Sequence, residues 1–288
     1  MNIIKYMMDV IYTEFNNPPN ILDIDTTIDK IIRDKLSVAR YGDGEFDIML
    51  KQGNIAFQNI DESLVDRLLE ILRSDDEKLV VCLPKVFTSR DLDRMHYYAR
   101  RCWIRFLYKR RKYIYKCIDT DKVYGDAFIT RNYMDLKDKS NVEAYFNKIR
   151  QIWNQREVVI VEGRYTRFGV GNNLMDNAKS VRRILCPEKN AYEKYREILE
   201  CIKTLPKDNL ILLALGPTAT VLAADLSYLS YQAIDIGHLD IEYEWYLAGA
   251  TEKISVCNKW TNEANGFVTS DTDVLNDATY GESIIRII

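Results

Sequence analysis

An α/β protein with a mainly parallel, Rossmann-like sheet and helices on both faces is what this 288-residue sequence predicts. Short, strongly apolar runs such as L-V-V-C-L, V-V-I-V and L-I-L-L-A-L recur along the chain, separated by stretches with helical spacing. Such alternation points to parallel strands with helical crossovers, because a parallel strand needs a long return connection. Each run also ends in a polar loop punctuated by glycine, and sheets of this kind bind ligands beyond the carboxyl ends of their strands.

The elements follow in order. Residues 3–15 read as a helix that Asn17, Pro18, Pro19 and Asn20 stop, and 26–35 as a second helix. Residues 36–41 then form a strand leading to Gly42, Asp43, Gly44 and Glu45. Asp-Gly alone would fit a hairpin turn. The apolar spacing of Phe46, Ile48, Met49 and Leu50 favours a strand–loop–helix passage instead. Helical spacing returns at 64–72, a strand covers 79–83 before Pro84, and one basic, aromatic helix covers 90–116. That helix could meet an anionic surface, but its simplest reading is a solvated face with the aromatics turned inward.

Residues 124–133 read as a loop presenting Arg131, and 142–153 as an amphipathic helix. A strand at 158–161 ends in Glu162 and Gly163, followed by a loop that contains Arg167, Gly169, Gly171 and Asn172. A helix at 174–179 would make that loop a phosphate cradle, since helix starts offer free N–H groups. A strand at 181–185 and a helix at 191–203 come next. The strand at 210–215 runs into Gly216, Pro217, Thr218, Ala219 and Thr220, with proline where a first helical turn accepts it. A helix over 219–229 leads to the strand 233–236, and then to His238, Asp240, Glu242 and Glu244 within seven residues. That acidic cluster with an imidazole suits a hard divalent cation; it equally suits a capped helix start.

Composition narrows the classes. A net charge of −3 gives no reason to expect nucleic acid. Six cysteines without a C-x-x-C pair suggest reduced thiols and a cytoplasmic protein. The first residues lack the pattern of a secretory signal, and no apolar run is long enough for a transmembrane segment. The glycine loops lack the third glycine and spaced acid of a dinucleotide fingerprint.

Five blocks in order carry a family resemblance: V-A-R-Y-G-D-G-E-F at 38–46, I-T-R-N-Y at 129–133, V-E-G-R-Y-T-R-F-G-V-G-N-N-L at 161–174, A-L-G-P-T-A-T-V-L-A-A-D-L at 214–226, and A-I-D-I-G-H-L-D-I-E-Y-E-W at 233–245. Together they resemble the GT-D-fold glycosyltransferases, with Tyr41 standing where phenylalanine is expected. The resemblance covers 36–263, leaving 1–35 as an N-terminal helical segment and 264–288 as a C-terminal extension. It implies transfer of a sugar, commonly glucose, from a UDP-sugar to a glycan or glycoprotein acceptor in bacterial surface glycan biosynthesis. It also implies a D-x-E motif working with Mn²⁺ or Mg²⁺. Two such motifs occur, Asp43–Glu45 and Asp240–Glu242; the resemblance places the metal at Asp43 and Glu45, with His238 completing the site.

On this reading Asp43, Glu45, His238, Asp240, Glu242 and Glu244 are the catalytic candidates. Arg40, Arg131 and Arg167 would hold the diphosphate, since a guanidinium can engage two phosphate oxygens. Gly42, Gly44, Glu162, Gly171, Asn172, Gly216, Pro217, Thr218 and Thr220 complete the expected substrate contacts. The acceptor's base is His238 or a carboxylate. A non-catalytic nucleotide-sugar binder and another Rossmann-like nucleotide-dependent enzyme are the alternative readings.

Overall fold

The structure, a computed structural model, describes residues 17–260, 262–264 and 278–288. The helix expected over 3–15 lies outside the described residues. Within them the strands are β1 (Asn20–Ile21), β2 (Ser37–Arg40), β3 (Leu79–Leu83), β4 (Val123–Asp126), β5 (Glu157–Gly163), β6 (Ser180–Cys186), β7 (Leu210–Ala214), β8 (Gln232–Asp235) and β9 (Ile284–Ile287). The α-helices are α1 (Ile24–Asp34), α2 (Asp43–Met49), α3 (Glu62–Leu72), α4 (Ser89–Asp93), α5 (Tyr97–Cys117), α6 (Val142–Ile149), α7 (Tyr195–Lys203), α8 (Pro217–Tyr228), α9 (Leu239–Leu247) and α10 (Ala278–Ser283).

The strands form one sheet in the order β1-β4-β3-β2-β8-β7-β5-β6-β9, and every pairing is parallel. Side-chain alternation builds two cores from it. Ala39, Val81, Val159, Val161, Ile211, Leu213 and Ala233 pack on one face with α3, α5, α7 and α8. Val38, Val80, Val158, Ile160, Leu210, Leu212 and Ile234 pack on the other with α1, α6 and α9. A sheet buried on both faces explains why these strands read as continuous apolar runs.

Connection directions position the site. The chain leaves β2 toward β3 on one side and leaves β5 toward β6 on the other, with β8 and β7 between them. A crevice therefore opens over the carboxyl ends of the central strands.

Four local expectations are corrected. The stretch 124–133 is not simply a loop: β4 and a 3-10 turn (Ala127–Thr130) occupy most of it. The basic helix is two helices, α4 and α5, with Arg94, Met95 and His96 between them; His96 stands at the N-cap of α5 without a side-chain capping bond and is exposed. Asp43 is already helical, because Glu45 accepts the Gly42 N–H at 2.8 Å in a capping-box arrangement. Finally, 174–179 is a run of turns. There Asn172 Oδ1 accepts the Leu174 N–H at 3.0 Å, and Trp153 Nε1 donates to the Leu174 carbonyl at 3.1 Å. With those groups engaged and Leu174 buried, no helix start remains to cradle phosphate.

Candidate active site

A cleft of about 510 Å³ opens over the carboxyl ends of β2, β8, β7, β5 and β6. Arg40, Gly42, Asp43, Gly44 and Glu45 enter it from β2 and α2, Gly237, His238 and Asp240 from β8 and α9, and Gly216 from the β7 turn. Tyr165, Thr166 and Phe168 come from the loop after β5, while Arg131, Trp260 and Glu263 close the rim. Residues some two hundred positions apart in sequence thus meet because β2 and β8 are neighbours.

Backbone constraints set the floor. At Gly216, φ is +56° and an added Cβ would lie 2.3 Å from Phe57 Cε2. At Gly237, φ is +47° and a Cβ would sit 1.9 Å from Arg40 Nη2. Both positions need glycine for conformation and for space. The Arg40 guanidinium is held there by Asp235, whose Oδ1 it meets at 2.7 Å and whose carbonyl it meets at 2.9 Å. Thr220 Oγ1 donates to the Arg40 carbonyl at 2.9 Å.

Electrostatics divide the titratable groups. Burial, and then the like charge of Asp235, push the Glu45 carboxyl up to about 7, against the pull of the Gly42 N–H. Burial and the neighbouring Arg131 push His238 down to about 3, so its imidazole is neutral at physiological pH. Glu263 links the rim: Oε1 accepts from Arg131 Nη2 at 2.6 Å and lies 3.5 Å from His238 Nε2, while Oε2 meets Lys253. Despite burial, the neighbouring Arg131 holds the Glu263 carboxyl well below the usual range.

The remaining expected residues lie elsewhere around this cleft. Asp240 lines it, yet its oxygens are engaged by Asn172 Nδ2 and Lys259 Nζ, each at 2.7 Å. Glu244 Oε1 takes the same two donors at 2.7 Å. Asp240 and Glu244 are four apart on α9 and share a face; Glu242, between them, points the other way. Fully buried, it accepts the Tyr133 and Met134 N–H groups at 2.8 Å. Glu162 is buried in a pair with Arg183 at 2.6 Å and accepts the Phe168 N–H at 2.7 Å. Arg167 donates to the Asn258 carbonyl at 2.6 Å. Gly171, Pro217, Thr218 and Thr220 do not line the cleft; Gly171 is exposed, and Thr218 and Thr220 are buried.

Several cleft residues escaped the sequence reading. Asp235, buried behind the cleft where it holds Arg40, carried a signal, since a charge inside a buried strand demands a partner. Asp47, Phe57, Tyr165, Trp260 and Glu263 carried none; each reaches the cleft by tertiary placement.

The donor set fits a divalent cation only in a particular way. Among the described residues, no three His, Cys, Asp or Glu side chains gather into a set that could hold one. Asp43 and Glu45 supply two hard carboxylates on one cleft wall. Mg²⁺-type sites commonly use one or two carboxylates together with substrate phosphates. The residues present therefore suit a cation shared with a bound diphosphate, not a cage built by the protein alone.

A parallel α/β sheet with an acidic, arginine-bearing cleft over its central strand ends places this chain in the class of open α/β proteins that bind ligands at that edge. The chain belongs to the glycosyltransferase GT-D fold family, whose model matches residues 38–264. It is 40% identical over 268 residues to a probable glycosyl transferase Gly of Streptococcus gordonii, and 40% identical over 266 residues to the glycosyltransferase GlyD of Streptococcus pneumoniae serotype 4. These alignments cover 92% of this chain but span only 38% and 32% of those relatives. A solved structure reported as "The highly conserved domain of unknown function 1792 has a distinct glycosyltransferase fold" is 40% identical, with a TM-score of 0.86 over 99% of this chain and 98% of that one. A glycosyltransferase structure from Streptococcus sanguinis is 38% identical, with a TM-score of 0.87 over 94% of this chain and all of that one.

Proposed function

We propose that this cleft transfers a sugar, commonly glucose, from a UDP-sugar to a hydroxyl of a glycan acceptor on a surface glycoprotein or polysaccharide. One observation carries the reading: in a chain of this family, the Asp43–Glu45 pair, His238 and the guanidinium groups of Arg40 and Arg131 open onto one cleft. Sugar transfer releases a nucleoside diphosphate, whose leaving oxygen gathers negative charge. Arginines placed beside it stabilise that charge where water is excluded. A Mn²⁺ or Mg²⁺ ion held by Asp43 and Glu45 would neutralise the same diphosphate.

The other groups take roles that follow from their surroundings. His238, neutral at physiological pH, suits hydrogen bonding or ligation better than proton abstraction, because a useful base has a pKa nearer the working pH. A cleft carboxylate is then the acceptor's base. Arg40, pinned by Asp235, is preorganised to meet phosphate without rearranging. Arg131 must exchange Glu263 for the ligand.

Titration calorimetry with UDP, ADP and NAD, each with and without Mn²⁺, tests the donor assignment. UDP should bind most tightly, and by roughly tenfold more with the cation present, the reach of one charge-assisted contact. Equal or tighter binding of NAD would favour a different nucleotide-dependent enzyme, and binding of UDP-glucose without turnover would favour a sensor.

A further inference from the structure

The basic helix has no part in the cleft chemistry, and its exposed side asks for a partner. α5 carries Arg100, Arg101, Arg105, Lys109, Arg110, Arg111, Lys112 and Lys116 and not one acidic residue. Arg100 pairs with Asp93, Arg110 with Asp47, and buried Arg111 donates to the Phe87 carbonyl at 2.6 Å. The inward aromatics, Trp103 and Phe106, pack on Phe128 and Phe46. What remains is a continuous exposed stripe: Arg101, Arg105, Lys109, Lys112 and Lys116, recurring every three or four residues on one face. No acidic side chain pairs with any of these five among the described residues.

Tyrosines flank the stripe. Tyr97 is 57% exposed, Tyr98 72% and Tyr113 45%, placing large amphipathic rings near both ends of the helix. At 1.5 Å per residue, 21 residues make a face roughly 30 Å long. The eight positive charges lie on a chain of net charge −3, which leaves −11 on everything else. This side is therefore suited to approach a negatively charged surface.

We infer that α5 is a docking face for an anionic lipid bilayer. Cations aligned on one helix side with tyrosines at its ends match the demands of a membrane interface, where rings sit at headgroup level and lysine and arginine meet lipid phosphates. A bilayer fits better than a polyanionic chain because exposed tyrosine rings stand beside the cations at both ends of the helix, as a headgroup region accommodates. No described helix is long and apolar enough to cross a membrane. This inference does not depend on which donor the cleft binds.

Co-sedimentation of the full chain with vesicles tests it, using phosphatidylcholine alone and phosphatidylcholine mixed equally with phosphatidylglycerol. Binding should require phosphatidylglycerol and weaken steeply as salt shortens the Debye length. The triple variant Arg105→Glu, Lys109→Glu, Lys112→Glu should lose on the order of a hundredfold or more in partitioning. A milder pair, Lys109→Gln with Lys112→Gln, should lose roughly tenfold and guards against misfolding of the triple variant. Tyr97→Ser with Tyr98→Ser should weaken binding without changing its salt dependence. Equal binding to both vesicle types, no binding to either, unchanged binding by the charge variants, or competition by polyglutamate stronger than by phosphatidylglycerol vesicles would overturn the inference.

Discussion

Arg40 and Asp235 tie together the ends of β2 and β8, the two adjacent strands that deliver Asp43, Glu45 and His238 to one cleft. The pair is nearly buried, with side chains 14% and 4% exposed. Gly237 makes room for it. Gly237→Ala combines a left-handed backbone with a Cβ inside the guanidinium, so it should destabilise the fold by about 1–3 kcal/mol. It should also displace Arg40 and weaken UDP binding. Thermal melting and calorimetry check both; a normal melt with normal UDP affinity would show that the close approach is not needed.

Lys259 pins the segment before the rim to α9 through Asp240 and Glu244. Lys259 and Asp240 are each 3% exposed, and removing one partner of a buried pair strands the other. Lys259→Met should therefore cost about 3–5 kcal/mol. Glu244→Gln leaves Asp240 in place and should cost less. A melting temperature within a degree of wild type for Lys259→Met would contradict this account of the pair.

Glu242 predicts a pH dependence. Burial and the nearby Asp135 push its carboxyl up to about 7, above its unfolded value. The folded state then holds more protons than the unfolded state across that interval, so this group's contribution falls as pH rises from about 5 to about 7. His238, pushed down, acts with the opposite sign at lower pH. The test is a difference: the melting temperature of Glu242→Gln relative to wild type should climb between about pH 5 and pH 8. A difference that stays flat would mean that Glu242 titrates normally.

Much of the central sheet was legible because strands buried on both faces must be apolar throughout: Leu79–Leu83 and Leu210–Ala214 show it most plainly. The edges were not. Asn20–Ile21 has two residues, Val123–Asp126 contains a glycine and an aspartate, and Ile284–Ile287 is largely exposed. The site showed the same division. Loops at strand ends announced Asp43, Glu45 and His238, whereas Trp260 and Glu263 reach the rim from a later segment with no local pattern. Spacing did contain one unused clue: on a helix, Asp240 and Glu244 share a face that Glu242 does not.

With Glu45 as a ligand of the proposed cation, protonation and metal binding are coupled. Burial pushes its carboxyl up to about 7, so protons and the cation would compete for it at neutral pH. The Mn²⁺ concentration giving half-maximal UDP binding should fall as pH rises through about 7, and Glu45→Gln should abolish that dependence. A midpoint that ignores pH in the wild-type chain would remove Glu45 from the cation's ligands.

Sugar transfer is the reaction proposed for the cleft bearing Asp43 and Glu45. Its most direct test is release of free UDP from UDP-glucose, followed over time with Mn²⁺ and a glycan acceptor, for wild type and Glu45→Gln. Wild type should show acceptor-stimulated release, and a Glu45→Gln variant that melts normally should be slower by on the order of a hundredfold or more. Undiminished release by a folded Glu45→Gln chain would contradict it.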